Sequence, residues 1–146
     1  MPDATVLIID EHPDVCALLA RGLGCQPGLK VVAHTSDPVV GAELARQWKP
    51  QIIVVDFKRA GRDRAEMYRG ISRMSPGSRL IVLTSYWALG EQEACLRSGA
   101  SRCLLKGMRI KELARELLEA VSPDRKSERR DGQRRGLDRL GTETPA

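Results

Sequence analysis

No two of the four cysteines, Cys16, Cys25, Cys95 and Cys103, form a CxxC pair, and neither His12 nor His34 stands at zinc-finger spacing from them. A structural zinc module is therefore excluded, and the thiols read as small core residues of a protein kept in a reducing cytosol. No apolar run approaches the roughly 18 to 20 residues a membrane span needs. The opening segment MPDATVLIID has no basic stretch ahead of its apolar one, so neither export nor insertion is expected and a cytoplasmic location is. No glycine-rich phosphate loop follows that first apolar run, which argues against a nucleotide or flavin pocket. One-signed charge is scarce as well: of the net +5, only +2 falls from Pro123 onward and +3 before it. A solvated mixed-charge surface accounts for that better than a DNA-binding patch.

What the chain does have is QIIVVD at Gln51 to Asp56, four successive apolar β-branched residues running into one carboxylate. An apolar run without in/out alternation suits a strand buried on both faces of a parallel sheet. An aspartate at its end then needs a cation or hydrogen-bond donors, because desolvating a carboxylate costs several kcal/mol (~). Polar partners end three other apolar runs: Asp10-Glu11 after VLII, Thr84-Ser85 after LIVL, and Lys106 after CLL.

Taken in order, the chain alternates. Thr5 to Asp10, Leu29 to His34, Gln51 to Asp56, Arg79 to Thr84 and Arg102 to Leu105 read as strands. Helices are expected after Pro13, from Asp37-Pro38 to about Trp48, from an Asp63-x-x-Glu66 capping box to about Met74, from about Ala88 to Arg97, and along Ile110, Leu113, Leu117 and Val121. Five βα units imply an α/β fold, a parallel sheet covered on both faces with right-handed crossovers. One domain fits 146 residues. It is placed at residues 1–121, and 122–146, too polar to bury a core, is read as a disordered mixed-charge tail.

In an open α/β sheet, ligands bind at the carboxyl ends of the strands, near the switch in strand order. For the flavodoxin-like order 2-1-3-4-5, a doubly wound (βα)5 sheet, the first and third strands are neighbours. Asp10, Glu11 and Asp56 then form one acidic cluster, with Thr84 and Lys106 arriving from the other side. Carboxylates that close persist together with a hard cation such as Mg2+. The set describes phosphoryl transfer: Asp56 as nucleophile, Mg2+ between carboxylate and phosphoryl oxygens, Lys106 and Thr84 on the equatorial oxygens. Each residue also has a plainer account, as a helix cap, a surface lysine or a β-branched strand residue, but five such residues at converging strand ends favour a site. His12 reads as a loop residue and Trp87 as partly buried packing.

VLIIDEHP, IIVVD, IVLTS and SGASRCLLKG, in that order and spacing, resemble the response-regulator receiver domains of bacterial two-component signalling over Thr5 to about Val121. The start DEHP and the following RGL look most like receivers that precede a helix-turn-helix output domain. The resemblance implies a histidine kinase or phosphotransfer protein as donor, Asp56 as phosphoacceptor, Asp10, Glu11 and Asp56 as the Mg2+ site, and Thr84 and Lys106 as the switch. It implies a phosphorelay protein, not an enzyme beyond its own phosphorylation and dephosphorylation. Only about 25 residues follow the last helix, too few for a helix-turn-helix, so output is expected through a downstream protein target, with a phosphorylation-dependent homodimer left open. Departures are Cys103 where the family usually has an aromatic switch residue, Gly107 for proline, Glu11 for aspartate, and the basic loop FKRAGRDR with Lys58, Arg59, Arg62 and Arg64. That loop either selects a partner by its positive potential or is simply solvated. Two other functions remain open: a receiver-fold binding module acting without phosphorylation, and nucleic-acid association through the basic tail.

Overall fold

The computed structural model describes residues 2–57 and 61–122, with the side chains at 61 and 62 left aside. Five strands, β1 (Ala4–Asp10), β2 (Leu29–Thr35), β3 (Ile52–Asp56), β4 (Arg79–Thr84) and β5 (Arg102–Leu105), alternate with five helices. These are α1 (Pro13–Gly24), α2 (Pro38–Trp48), α3 (Gly61–Met74), α4 (Glu91–Arg97) and α5 (Ile110–Val121). All pairings are parallel, in the order β2-β1-β3-β4-β5. The expected fold class and strand order are thus observed. The tail assigned to residues 122–146 lies outside the described residues except for Ser122.

The uninterrupted apolar strands serve two cores. Val6, Ile8, Ile52, Val54, Ile81 and Leu83 pack under α1 and α5, against Cys16, Leu23, Leu113 and Leu117. Leu7, Ile9, Ile53, Val55, Leu80 and Val82 pack under α2, α3 and α4, against Ala45, Tyr68, Ile71 and Cys95. Side chains alternate between faces with period two, so Asp10 continues the row of Val6 and Ile8 while Asp56 continues that of Ile52 and Val54. The β1–β3 register pairs Asp10 directly with Asp56, and this sets the two carboxylates side by side.

Two helix starts differ from expectation. Helix α3 opens at Gly61, so Asp63 lies in its first turn, where negative charge suits the helix dipole, rather than at its cap. Helix α4 opens at Glu91, not near Ala88, because Gly90 at its N-cap has φ 81, a left-handed conformation that holds the preceding residues in a turn. Asp37 does cap α2 as expected, accepting from the backbone N–H groups of Val39 at 2.9 Å and Val40 at 3.4 Å.

Helix α2 approaches the sheet through Gly41. A Cβ there would meet three side-chain carbons of Ile9 at 2.7 to 2.8 Å, and Ile9 is fully buried. Gly41→Ala is therefore expected to destabilise the domain by about 1–3 kcal/mol through overpacking, read as a lower denaturant midpoint at unchanged slope.

Candidate functional site

The carboxyl ends of β1, β3, β4 and β5 gather the charged residues. Asp10 and Asp56 are 1% and 4% exposed, and two carboxylates so deeply set require compensation. Lys106 supplies it from the residue following β5. Its backbone N–H donates to the Thr84 carbonyl at 2.7 Å, which carries the β4–β5 ladder one step further and aims the side chain inward. The ammonium Nζ then lies 2.6 Å from Asp56 Oδ2 and 2.7 Å from Asp10 Oδ2. Gly107 follows with φ 107, a conformation that glycine adopts and proline does not. The departure from the family pattern at this position thus goes with a differently shaped turn. Thr84 is buried at the end of β4.

His12, read from sequence as a loop residue, belongs to this group. It holds the N-cap position of α1 in extended backbone, as a residue before proline tends to. Its N–H donates to Asp10 Oδ1 at 2.9 Å. Its ring Nδ1 lies 2.9 Å from the same oxygen and 4.0 Å from Asp56 Oδ2. Among the described residues, Asp10, His12 and Asp56 form the group of potential metal ligands, with one ligand atom from each and all within 4.8 Å of one another. Glu11 is not in that group; its backbone N–H donates to the Asp56 carbonyl at 3.2 Å. Asp10 Oδ2 is buried and faces the Lys106 ammonium at 2.7 Å, while Oδ1 faces His12. Two buried carboxylates with an imidazole nitrogen, one ligand atom from each within 4.8 Å of the others, are a donor set that fits a divalent cation.

Burial raises the Asp56 carboxyl above its ordinary value. The hydrogen bond and charge of Lys106 oppose this without overcoming it, and the negative charge of Asp10 adds to the rise. Burial acts against the Lys106 ammonium, yet its bonds to Asp10 and Asp56 outweigh that and its pKa is raised. A raised carboxyl means that the folded state disfavours the ionised form. The penalty is absent below the ordinary aspartate range and complete above the raised folded value. At neutral pH, Asp56→Asn should therefore melt a few degrees above wild type, and the gap should close as pH falls through the folded pKa; equal melting temperatures at neutral pH would contradict it.

Around this centre, Phe57 is fully buried and stacks on Tyr68 of α3, with centroids 5.4 Å apart. Cys103 is a buried core residue whose thiol is pushed up by the adjoining Cys95 thiol and by burial, as suits an inert packing cysteine. Trp87 packs, partly buried, against the α2–α4 core. Of the basic residues after Asp56, Arg64 sits in α3 and pairs with Glu91 of α4 at 2.7 Å. Lys58 and Arg59 lie outside the described residues.

Comparison with known proteins decides the family. The sequence profile of the response regulator receiver domain matches residues 6–118. The chain belongs to that family. It is 32% identical over 123 residues to the transcriptional regulatory protein LiaR of Bacillus subtilis, covering 84% of this chain and 58% of LiaR. The receiver domain described here thus spans a little over half the length of the curated relatives it matches. A two-component response regulator of the LuxR family from Aurantimonas sp. SI85-9A1 is similar with TM-score 0.70 and 26% identity over 90% of this chain and 98% of that one. A response regulator from Thermotoga maritima, 20% identical, shares the fold with TM-score 0.72 over 82% of this chain and 98% of that one. Receiver domains typically bind Mg2+ at an acidic pocket and interact with histidine kinases or phosphotransfer proteins. Among the described residues no helix is long and apolar enough to cross a membrane.

Proposed function

We propose that this receiver domain accepts a phosphoryl group on Asp56 from a phosphohistidine donor in the cytoplasm and passes the signal on through a protein partner. The observation that carries the reading is Lys106 Nζ bridging two buried, register-paired carboxylates, Asp10 and Asp56. An Asp56 oxygen attacks phosphorus, the phosphorus–nitrogen bond to the donor histidine breaks, and its electron pair stays on the imidazole, leaving an acyl phosphate on Asp56. Lys106 sits where its charge offsets that developing on the phosphoryl oxygens, and Thr84, ending the adjacent strand, offers a hydroxyl donor beside it. Asp10, Glu11 and Asp56 would hold the divalent cation, with His12 Nδ1 close to Asp10 and Asp56. When bound, such an ion would supply positive charge to offset the negative charge that gathers in the pocket.

Tyr86 and Leu89 in the β4–α4 connection and Leu105, paired with Thr84 across β4–β5, are exposed apolar residues that suit contact with a downstream partner. The chemistry is the domain's own phosphorylation and dephosphorylation, without turnover of a separate substrate. Cys103 and Gly107 favour a second reading, a binding module of the same fold that works unphosphorylated.

Purified protein incubated with a small-molecule acyl phosphate and Mg2+ should gain one phosphoryl group by intact mass, and Asp56→Asn should gain none. An adduct that forms in the variant as well, or none in wild type, would turn the choice to the phosphorylation-independent module.

A further inference from the structure

We infer that the groove between α2 and α3 receives an amphipathic helix of a partner protein, one whose apolar stripe is flanked by carboxylates. The groove has a volume of about 770 Å³, within the range of binding clefts. Val39 and Ala42 of α2 and Met67 and Met74 of α3 line it, with the buried Phe57 beneath them. Val39 is 80% exposed, and Val40 and Met74 are exposed as well. The groove shares no residue with the surface formed by Tyr86, Leu89 and Leu105.

Gly70 is the observation that points to an occupant. It sits in the interior of α3 with a φ outside the left-handed region, where glycine lowers helix stability relative to alanine. A Cβ at Gly70 would meet nothing within 4 Å, whereas one at Gly41 would run into Ile9. Packing within the domain therefore accounts for Gly41 and not for Gly70. Because Gly70 lines the groove, its missing side chain leaves room for a second backbone to come close to α3.

Shape and charge define that occupant. Met67, Gly70 and Met74 stand at i, i+3 and i+7, a single stripe along α3. A helix laid in the groove meets such a stripe with anchors at the same spacing, and methionine side chains adapt to what they touch. Arg73 also lines the groove and, among the described residues, makes no ion pair; Glu43, on the α2 side, is bonded to Arg46 of its own helix. Arg69, exposed and one turn before Arg73, adds the same sign. The unanswered charge is positive, and glutamate or aspartate beside the partner's apolar stripe answers it.

The inference does not depend on phosphorylation of Asp56, and the test is run without a phosphodonor. The full chain is titrated into two fluorescent helical peptides with leucines at i, i+3 and i+7, flanked in one by glutamates and in the other by lysines, and binding is read by anisotropy. Wild type should bind the glutamate peptide about 10-fold or more tightly than the lysine peptide, and Arg73→Glu should abolish or invert that preference. Gly70→Leu, which fills the groove, should weaken the glutamate peptide about 10-fold or more. Val39→Ser, at a position too exposed to disturb folding, should weaken it about 3- to 10-fold. Leu18→Ser, on the exposed face of α1, should change nothing. Equal affinity for the two peptides, binding of neither, or wild-type affinity in a Gly70→Leu chain that circular dichroism shows to be folded would overturn the assignment. So would binding that appears only after Leu137→Ser with Leu140→Ser, because the occupant would then be the protein's own C-terminal segment.

Discussion

Lys106→Met is expected to lose about 3–5 kcal/mol of stability at neutral pH, the range for breaking a buried ion pair by removing one partner. It is also expected to slow adduct formation on Asp56 by about 100-fold or more, as loss of one charge-stabilising donor does. Methionine keeps the length and most of the packing, so what disappears is one positive charge 2.6 Å from Asp56 and 2.7 Å from Asp10. The two carboxylates remain buried and register-paired, now facing each other without an ammonium between them. Two remedies should work on the variant more than on wild type: lowering the pH, which protonates the Asp56 carboxyl already raised by burial, and adding a divalent cation.

The alkaline side gives the opposite contrast. The Lys106 pKa is raised above 10.5, so its contribution is complete below the unfolded value and is lost as pH rises through the folded one. Wild type should lose stability there more steeply than Lys106→Met. A variant as stable as wild type at neutral pH, with undiminished adduct formation, would mean that the ammonium is a bystander.

How much of this could be read from the chain depends on what kind of contact was involved. The strands were legible because IIVVD, VLII and LIVL are continuous apolar runs rich in β-branched residues, and strand order follows once five βα units are recognised. Asp10, Asp56, Thr84 and Lys106 were legible as a group because each ends an apolar run, and the observed register brings Asp10 opposite Asp56. His12 does lie in the β1–α1 loop, as read, but the approach of its ring to Asp10 was not legible. Its ring reaches the pocket through a two-residue backbone turn bonded to Asp10 Oδ1, a local geometry that periodicity does not encode. The signal available was its position two residues after a strand-end aspartate. The late start of α4 depended on Gly90 taking a positive φ, whereas a helix-compatible glycine would have looked the same in sequence. The Phe57–Tyr68 stack joins a strand end to a helix 11 positions on, a tertiary contact with no local pattern.

Arg102 was read simply as the first residue of β5, yet it is 3% exposed. It projects onto α5, forming an ion pair with Glu116 and lying 3.7 Å from Glu119. The guanidinium is thus a buried cation held between a strand and a helix, with both carboxylates on one side of α5 at i and i+3. Removing both, Glu116→Ala with Glu119→Ala, leaves that charge desolvated and without either carboxylate, and should cost about 3–5 kcal/mol, a large part of the roughly 5–15 kcal/mol a domain has in total. Replacing all three by apolar residues, Arg102→Met with Glu116→Leu and Glu119→Leu, should be close to neutral, because the desolvation penalty goes with the charges. Chemical denaturation of the two variants separates charge from packing. Equal losses in both would show that the stems matter and the pairing does not, while a double variant within about 1 kcal/mol of wild type would show that water or another group satisfies the arginine. Arg102 starts β5 and Lys106 follows its end, about 13 Å further along at strand rise. While folded, the double variant should accept a phosphoryl group on Asp56 at the wild-type rate, so that its defect is confined to the stability of the scaffold that holds Lys106 in place.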